Sequence, residues 1–467
     1  MLNDILGQIN DLMYTYLLLF LLLGTGLYFS IRSRFAQVRL MKEGFRILTE
    51  KAEVGDGKRQ VSSFQALMIS TASRVGTGNI AGIATAIAAG GPGAVFWMWV
   101  MAVIGSASAF IESTLAQVYK TKDGKDFRGG PSYYMEKELG KRWMGVLFSV
   151  LLIICFAYGF NGLQSYNMSS ALEYYIPGYS ESSYPMIVGL ILAVGTGLII
   201  FGGVHRIGFI TSVMVPIMAG AYLLMGLFTI VTHLPQLPGI FAMILSEAFD
   251  FQAIFGGMAG SAVVIGIKRG LFSNEAGMGS APNAAASASV SHPAKQGMVQ
   301  VISVFIDTLL ICSATAMMLL LSGVQGEASV LDGIPFVQKA ISANVGTWGI
   351  HFITASIFAF AFSSLIGNYY YAESNILFIK NNKVLLFVFR CTCLLAVFLG
   401  AQADFSLVWN LADITMGCMA IVNIIAILLL GNIALKVLKD YETQKKAGKN
   451  PVFKAENVGI KNTDCWK

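Results

Sequence analysis

Charge is what this chain has least of. Only 12% of its 467 residues are Asp, Glu, Lys or Arg, 55% are hydrophobic, and the mean hydropathy is +0.66. A soluble domain carries about 25% charged residues, so a water-exposed globule is excluded. Histidine is scarcer still: His205, His233, His292 and His351 fall in separate connections or helix ends, without the spacing of metal ligands. Of the cysteines, Cys155, Cys312, Cys391, Cys393 and Cys418 lie in apolar runs and Cys465 in the polar tail, which implies neither a disulfide framework nor a metal cluster. No nucleophile, base and metal ligands converge, so an enzyme is not expected. Residues 1–13 contain acids but no Lys or Arg, unlike a secretory n-region, and the first apolar helix is expected to be retained.

What is present is a series of apolar runs, near 14–31, 64–90, 93–118, 143–167, 186–202, 207–232, 253–290, 298–322, 349–371, 384–401 and 406–435. A helix crossing hydrocarbon needs roughly 17 to 25 such residues. The sequence therefore predicts an all-α integral membrane protein with 11 transmembrane helices, the second and seventh interrupted.

Cytoplasmic loops retain Lys and Arg, and translocated loops largely lack them. With the N-terminus outside, the internal segments 32–62, 119–142, 202–206, 291–297, 379–390 and 436–467 hold 28 of the 32 Lys and Arg residues, and the external ones hold only Lys339. This predicts a multi-pass protein of the plasma (inner) membrane, N-terminus outside and C-terminus cytoplasmic. The net charge of +6 follows from that asymmetry and does not indicate nucleic acid as a partner. Segment 32–62 interleaves Arg32, Arg34, Arg39, Lys42 and Arg46 with apolar residues. It is either an amphipathic helix on anionic membrane lipid or a solvated orientation signal. The tail from Tyr441 to Lys467 is polar, Lys-rich and expected to be mobile.

The two interruptions are GTGNIAG at 76–82 and RGLFSNEAGMGSAP at 269–282. A broken helix exposes unpaired backbone groups at bilayer depth, which is tolerated only around a protein-lined or watery site. Small residues also let helices pack closely, and that is the competing reading of either break alone. Two breaks in register favour a site. The helices parse as one plus five plus five, and because five is odd the second half enters the bilayer from the opposite side. The expected organisation is an N-terminal helix with a basic linker (1–62), a first five-helix repeat (63–232), a second (233–435) and a basic cytoplasmic tail (436–467).

Around the first break stand Ser73, Arg74, Thr77 and Asn79, with Gly76, Gly78 and Gly82. Glycine lets the backbone leave helical geometry, and the freed N–H groups of the following half-helix suit a carboxylate. Carbonyls of the preceding half, such as those of Ala72 and Val75, suit a hard cation like sodium. Helix 9 pairs Ser363 with Ser364 and places Asn368 one turn beyond, on the same face. Such hydroxyls bind either an ion or their own backbone. Helix 4 carries Gln164 and Asn167 three residues apart, as helix staples or as ligand contacts. The second break supplies Phe272, Ser273, Asn274, Glu275 and Met278. Glu112, Asp307 and Asp413 also lie within apolar spans, where carboxylates are costly and face a partner or water. Arg74 and Lys268 are the expected counter-ions, and Glu112, near the cytoplasmic end of helix 3, is expected to snorkel or to gate.

SRVGTGNIAG at 73–82, FRGGPSYYMEKELG at 127–140 and KRGLFSNEAGMGSAPNAAASA at 268–288 resemble the signatures of the alanine or glycine:cation symporters, also called sodium:alanine symporters. The likeness extends over essentially the whole chain. It implies a LeuT-like five-plus-five inverted repeat preceded by one helix, and sodium-driven uptake of small neutral amino acids such as alanine and glycine. By the same resemblance the substrate site falls on Thr77, Gly78, Asn79, Gln164, Asn167, Phe272 and Met278, and a sodium site on Ala72, Val75, Ser363 and Ser364. Many members carry Trp where this chain has Asn368. A carboxamide in place of an indole enlarges the pocket and adds a donor and an acceptor, which extends the expected substrates to glutamine. A proton-coupled carrier, a channel and an amino-acid sensor are the rival readings. A channel filter usually comes from rings of identical subunits or charged side chains, which two unlike breaks do not provide.

Overall fold

Long apolar runs with few interior prolines form helices, because in hydrocarbon each backbone N–H and C=O must find its partner within the segment. The computed structural model describes residues 2–50, 54–55, 58–124, 126–202, 204–250, 260–324 and 333–466. Among them, 8 helices are long and apolar enough to cross a membrane, and Ala81–Gly90 and Tyr184–Ile200 are shorter apolar helices.

In chain order the helices are α1 (Leu2–Met13), α2 (Leu19–Arg32), α3 (Ala36–Arg39), α4 (Met41–Leu48), α5 (Ser63–Arg74), α6 (Ala81–Gly90), α7 (Gly93–Val118), α8 (Pro131–Lys137), α9 (Arg142–Leu152), α10 (Asn161–Ser170) and α11 (Tyr184–Ile200). There follow α12 (Val204–Thr232), α13 (Leu237–Ala248), α14 (Ala262–Asn274), α15 (Pro282–Ser287), α16 (Ala294–Val304), α17 (Ser313–Leu320), α18 (Gly333–Val345), α19 (Trp348–Ile379), α20 (Lys383–Gly400) and α21 (Phe405–Lys446). Three π-helical stretches, Tyr14–Leu18, Ile153–Phe160 and Phe305–Cys312, join α1 to α2, α9 to α10 and α16 to α17. Two antiparallel ribbons, β1 (Val54–Gly55) with β2 (Lys58–Arg59) and β3 (Thr121–Asp123) with β4 (Asp126–Arg128), are the strands.

Both expected breaks are present. Between α5 and α6 the chain passes through Val75 and Gly76 into a 3-10 turn, Thr77–Asn79. Between α14 and α15 it turns at Glu275, Gly277 and Gly279, all with positive φ. The apolar run expected over 253–290 begins in residues 253–259, which lie outside the described residues.

Large apolar side chains such as Leu190, Ile191, Leu198, Ile217 and Leu224 are exposed on α11 and α12, as on a surface that meets acyl chains. The interior is mixed instead, with Glu112, Asp307 and Asp413 buried among Ala, Ile and Met.

Four expectations are corrected. The first helix begins at Leu2 and not near residue 14, and its polar end is functional in packing: Asn10 Nδ2 donates to Asp413 Oδ2 (3.3 Å), and Tyr14 Oη donates to the Asp413 carbonyl (3.0 Å). Glu112 does not snorkel. It is fully buried, and accepts from Asn423 Nδ2 (2.7 Å) and Gly277 N (3.3 Å). Arg74 makes no ion pair among the described residues; its Nη1 donates to Gln300 Oε1 (3.2 Å) while Nε and Nη2 are buried without a partner.

The tail is docked, not mobile. α21 continues through Lys446, Phe453 N donates to the Ser291 carbonyl (2.9 Å), and Trp466 Nε1 donates to the Gln117 carbonyl (2.8 Å) beneath the Lys120 ammonium. Burial of Phe453, Ile460 and Trp466 offsets the entropy of ordering the segment, which its polar composition concealed.

Candidate functional site

The site begins where α5 stops. In a continued helix Gly76 N–H would close on the Ala72 carbonyl; instead it donates to Asn79 Oδ1 (2.9 Å) and to the Arg74 carbonyl (2.9 Å). The carbonyls of Ala72 and Val75 are thereby freed, and α19 meets them. Ser364 Oγ lies 3.0 Å from the Ala72 carbonyl, 3.4 Å from that of Val75 and 3.1 Å from that of Phe360. Ser363 Oγ lies 2.8 Å from the same Phe360 carbonyl and otherwise approaches the Met218 sulfur (3.7 Å). One hydroxyl hydrogen cannot satisfy three carbonyls, and such an all-oxygen set matches the preference of a hard cation. A Cβ on Gly76 would fall on Ser364 Oγ, so this close approach requires glycine.

The freed N–H groups face α10. Thr77 N donates to Gln164 Oε1 (3.1 Å). One turn on, Asn167 Nδ2 bonds its own backbone at Leu163 (2.8 Å), and Asn167 Oδ1 is buried without a partner. Thr77 Oγ1 and Trp409 Nε1 are also buried and unpaired. Orphaned polar atoms on three elements are what a cavity for a polar ligand leaves behind in the ligand's absence.

An aromatic series closes this region. Ring centroids are separated by 4.9 Å for Phe160 and Phe272, 5.1 Å for Phe272 and Trp409, 6.1 Å for Trp409 and Phe405, and 6.0 Å for Phe405 and Tyr166. A Cβ at Gly78 would stand 2.7 Å from the Phe272 ring, so Phe272 lies directly over the first break. Beyond the rings is a cavity of about 530 Å³ lined by Tyr166, Glu173, Tyr179, Asp404 and Phe405 among others. Arg269 stacks on Trp409 (4.4 Å) and pairs through both Nη atoms with Asp413 (3.2 and 2.6 Å), which Lys268 also reaches (3.0 Å). Lys268 is thus paired as expected.

Other expected residues are engaged within the protein. Asn79 Nδ2 donates to Asp307 Oδ1 (2.7 Å) and approaches Ser273 Oγ (3.1 Å), so its carboxamide ties the first break to the π-helical stretch over 305–312. Asn368 Oδ1 lies 2.8 Å from Ser73 Oγ, and its Nδ2 donates to Asn161 Oδ1 (3.1 Å). Both ends of the Asn368 carboxamide are therefore occupied. Met278 is fully buried in the second break, its N–H bonded to the Glu275 carbonyl (3.2 Å). The structure brings Ala72, Val75 and Ser364 together, with Ser363 bonded to the Phe360 carbonyl of its own helix, and it brings Thr77, Gly78, Gln164 and Phe272 together.

Sequence reasoning missed Phe360, Trp409 and Asn161. Trp409 stands one turn before Asp413 and Asn161 three residues before Gln164, so helical spacing from residues already under suspicion was a usable signal. The Phe360 contribution is a backbone carbonyl, which leaves no mark in residue identity.

The fold resembles that of a manganese transporter from Eremococcus coleocola, with a TM-score of 0.52 and 14% identity over 86% of this chain and 84% of the other. Among curated relatives, the chain is 49% identical over 466 residues to the amino-acid carrier protein AlsT of Bacillus subtilis (strain 168), covering 100% of this chain and 98% of the relative. It is 50% identical to the probable sodium/glutamine symporter GlnT of the same strain, over 100% and 96% of the two chains. To the sodium/alanine symporter AgcS of Methanococcus maripaludis it is 35% identical, over 96% and 99%. The model of the sodium:alanine symporter family matches residues 1–455, and with relatives this similar along its whole length the chain belongs to that family, a family of transporters and not of enzymes.

Proposed function

We propose that this protein is a sodium-coupled symporter that imports small neutral amino acids, alanine, glycine and glutamine, by alternating access across the plasma (inner) membrane. Its scaffold is a single N-terminal helix followed by two inverted five-helix repeats over 63–232 and 233–435, eleven spans in all, with the N-terminus outside and the C-terminus cytoplasmic. The observation that carries this reading is the convergence of the Ala72, Val75 and Phe360 carbonyls on the Ser364 hydroxyl beside the first break. Sodium is the cargo that suits those oxygens.

The amino acid lies on the other side of the break. Its carboxylate takes the N–H groups of Thr77 and Gly78, displacing Gln164 Oε1, while Asn167 Oδ1 and Thr77 Oγ1 accept from its ammonium group. Phe272 and Trp409 cover its side chain. Asn79, Met278 and Asn368 shape this pocket from behind. Both ligands share one broken segment, so binding of either holds the segment in the geometry the other needs.

One sodium ion moving down ~100 mV gains about 2.3 kcal/mol, and a tenfold gradient adds about 1.4, which together support roughly 500-fold accumulation of a neutral substrate. The 50% identity to a protein named as a probable sodium/glutamine symporter favours glutamine as a second substrate. Uptake of radiolabelled alanine and glutamine into proteoliposomes, with sodium or with potassium outside, tests the proposal. Saturable uptake that requires sodium is expected. Currents without solute uptake would mean a channel, and substrate binding without uptake a sensor.

A further inference from the structure

Three of the four buried carboxyls named above meet only donors. Asp413 has Arg269 and Lys268, Asp307 has Asn79 Nδ2, Ser273 Oγ and Thr308 Oγ1, and Glu112 has Asn423 Nδ2 and Gly277 N. Glu275 differs. Its Oε2 accepts from Ser280 Oγ (2.5 Å), but its Oε1 lies 2.9 Å from Ser73 Oγ, whose single hydrogen also faces Asn368 Oδ1 at 2.8 Å.

Counting hydrogens leaves two complete patterns. In the one this packing shows, Asn368 Nδ2 donates to Asn161 Oδ1 (3.1 Å) and Asn161 Nδ2 to Cys393 Sγ (3.4 Å), which leaves the Asn368 oxygen facing Ser73. Ser73 then gives its hydrogen to Asn368. In that pattern Glu275 can bond Ser73 only as the donor. The chain Glu275, Ser73, Asn368, Asn161, Cys393 has one other complete pattern, in which both carboxamides rotate by half a turn and every hydrogen points back toward an ionised Glu275. A buried charge needs a partner, and among the described residues no cation bonds Glu275: Arg74 bonds Gln300. The titratable groups whose fields reach it are Arg74 on α5, Glu112 on α7, Asp307 and Tyr371 on the elements over 305–312 and α19, and Cys155 in the stretch over 153–160.

We infer that Glu275 is a proton-binding site, neutral in this packing, whose ionisation reverses a hydrogen-bond chain across five membrane elements. Protonation places the hydrogen on Oε1, directed at Ser73 Oγ, and loss of that proton to water forces Asn368 and Asn161 to turn over. Because Ser73 lies between Ala72 and the first break, the proton state of Glu275 is tied to the backbone that the proposed function assigns to sodium and substrate. Only the transport arm of the test rests on that assignment.

The test is the infrared spectrum of the purified full-length protein in lipid, titrated through neutral pH. A protonated-carboxyl C=O band is expected that disappears in Glu275→Gln and shifts to higher frequency, without disappearing, in Ser73→Ala, where the carboxyl has lost its acceptor. No such band, or one that Glu275→Gln leaves in place, overturns the inference whatever the protein transports. In proteoliposomes at fixed sodium, radiolabelled alanine uptake by the wild type should fall about tenfold per pH unit on its alkaline limb. Glu275→Gln, which keeps a donor toward Ser73, should flatten that profile; an unchanged profile overturns the coupling of this proton to transport.

Discussion

The backbone N–H of Thr77 donates to the side-chain oxygen of Gln164 across 3.1 Å, so a residue of α10 holds the place at the first break where a carboxylate fits best. A helix that continued through Thr77 would leave Gln164 without this partner. The bond makes Gln164 both a support for the unwound segment and the group a ligand displaces.

Once displaced, the Gln164 carboxamide can donate its Nε2–H to the incoming carboxylate, so Gln164→Ala should weaken amino-acid binding by about 1–3 kcal/mol, roughly 5- to 150-fold in Kd. Equilibrium binding of radiolabelled alanine to the purified protein measures it. Wild-type affinity in the variant would return Gln164 to a purely structural role.

Ser364 reaches three carbonyls, whereas Ser363 reaches one and otherwise approaches the Met218 sulfur (3.7 Å). Ser364→Ala should raise the sodium concentration for half-maximal uptake by about tenfold or more, and Ser363→Ala by less. Sodium titration of uptake by the two single variants checks the order. Equal effects, or none, would remove the asymmetry from the ion site.

Asn368 was expected to enlarge the pocket for glutamine, but its carboxamide bonds Ser73 and Asn161. Replacing it with Trp breaks both contacts and overfills a buried position. Uptake of alanine and of glutamine should fall together, within about threefold of each other, as expected of a packing defect. Competition uptake with the two amino acids separates this outcome from selective loss of glutamine, which would restore the pocket-size reading.

In the connection between α15 and α16, His292 accepts from Ala294 N at Nδ1 (3.2 Å), so its Nε2 carries the hydrogen donated to Asp440 Oδ2 (3.1 Å). Burial pushes its pKa down from 6.5 to about 4. The folded protein thus binds this proton more weakly than the unfolded chain. Stability is complete above about pH 6.5 and is lost progressively as pH falls toward about 4, by up to about 3 kcal/mol. Melting temperature followed from pH 7 to pH 4.5 should drop less for His292→Gln than for the wild type.

Much of the fold was legible because its signals are local. Apolar runs of the length a bilayer needs and glycines at 76, 78, 277 and 279 each act within a few residues. The spacing of Ser364 from Asn368 and of Gln164 from Asn167 correctly put each pair on one helix face. What those faces would meet was not written there. Gln164 and Asn167 were equally good staples or ligand contacts, and the difference between them, one bonded to the break and one bonded to its own helix, depends on the position of α5.

The sequence by itself determined that the chain lives in a membrane, that two of its helices are broken and that their backbone groups need partners. Tertiary structure alone decided who those partners are: Ser364 for the Ala72 carbonyl, Gln164 for the Thr77 amide, Ser73 for Glu275, and the surface around Gln117 for Trp466. The physical reason is range. Periodicity and glycine act through neighbouring residues, whereas a hydrogen bond between residues some 290 positions apart forms only after every intervening helix is packed, and backbone carbonyls carry no residue identity by which to foresee it.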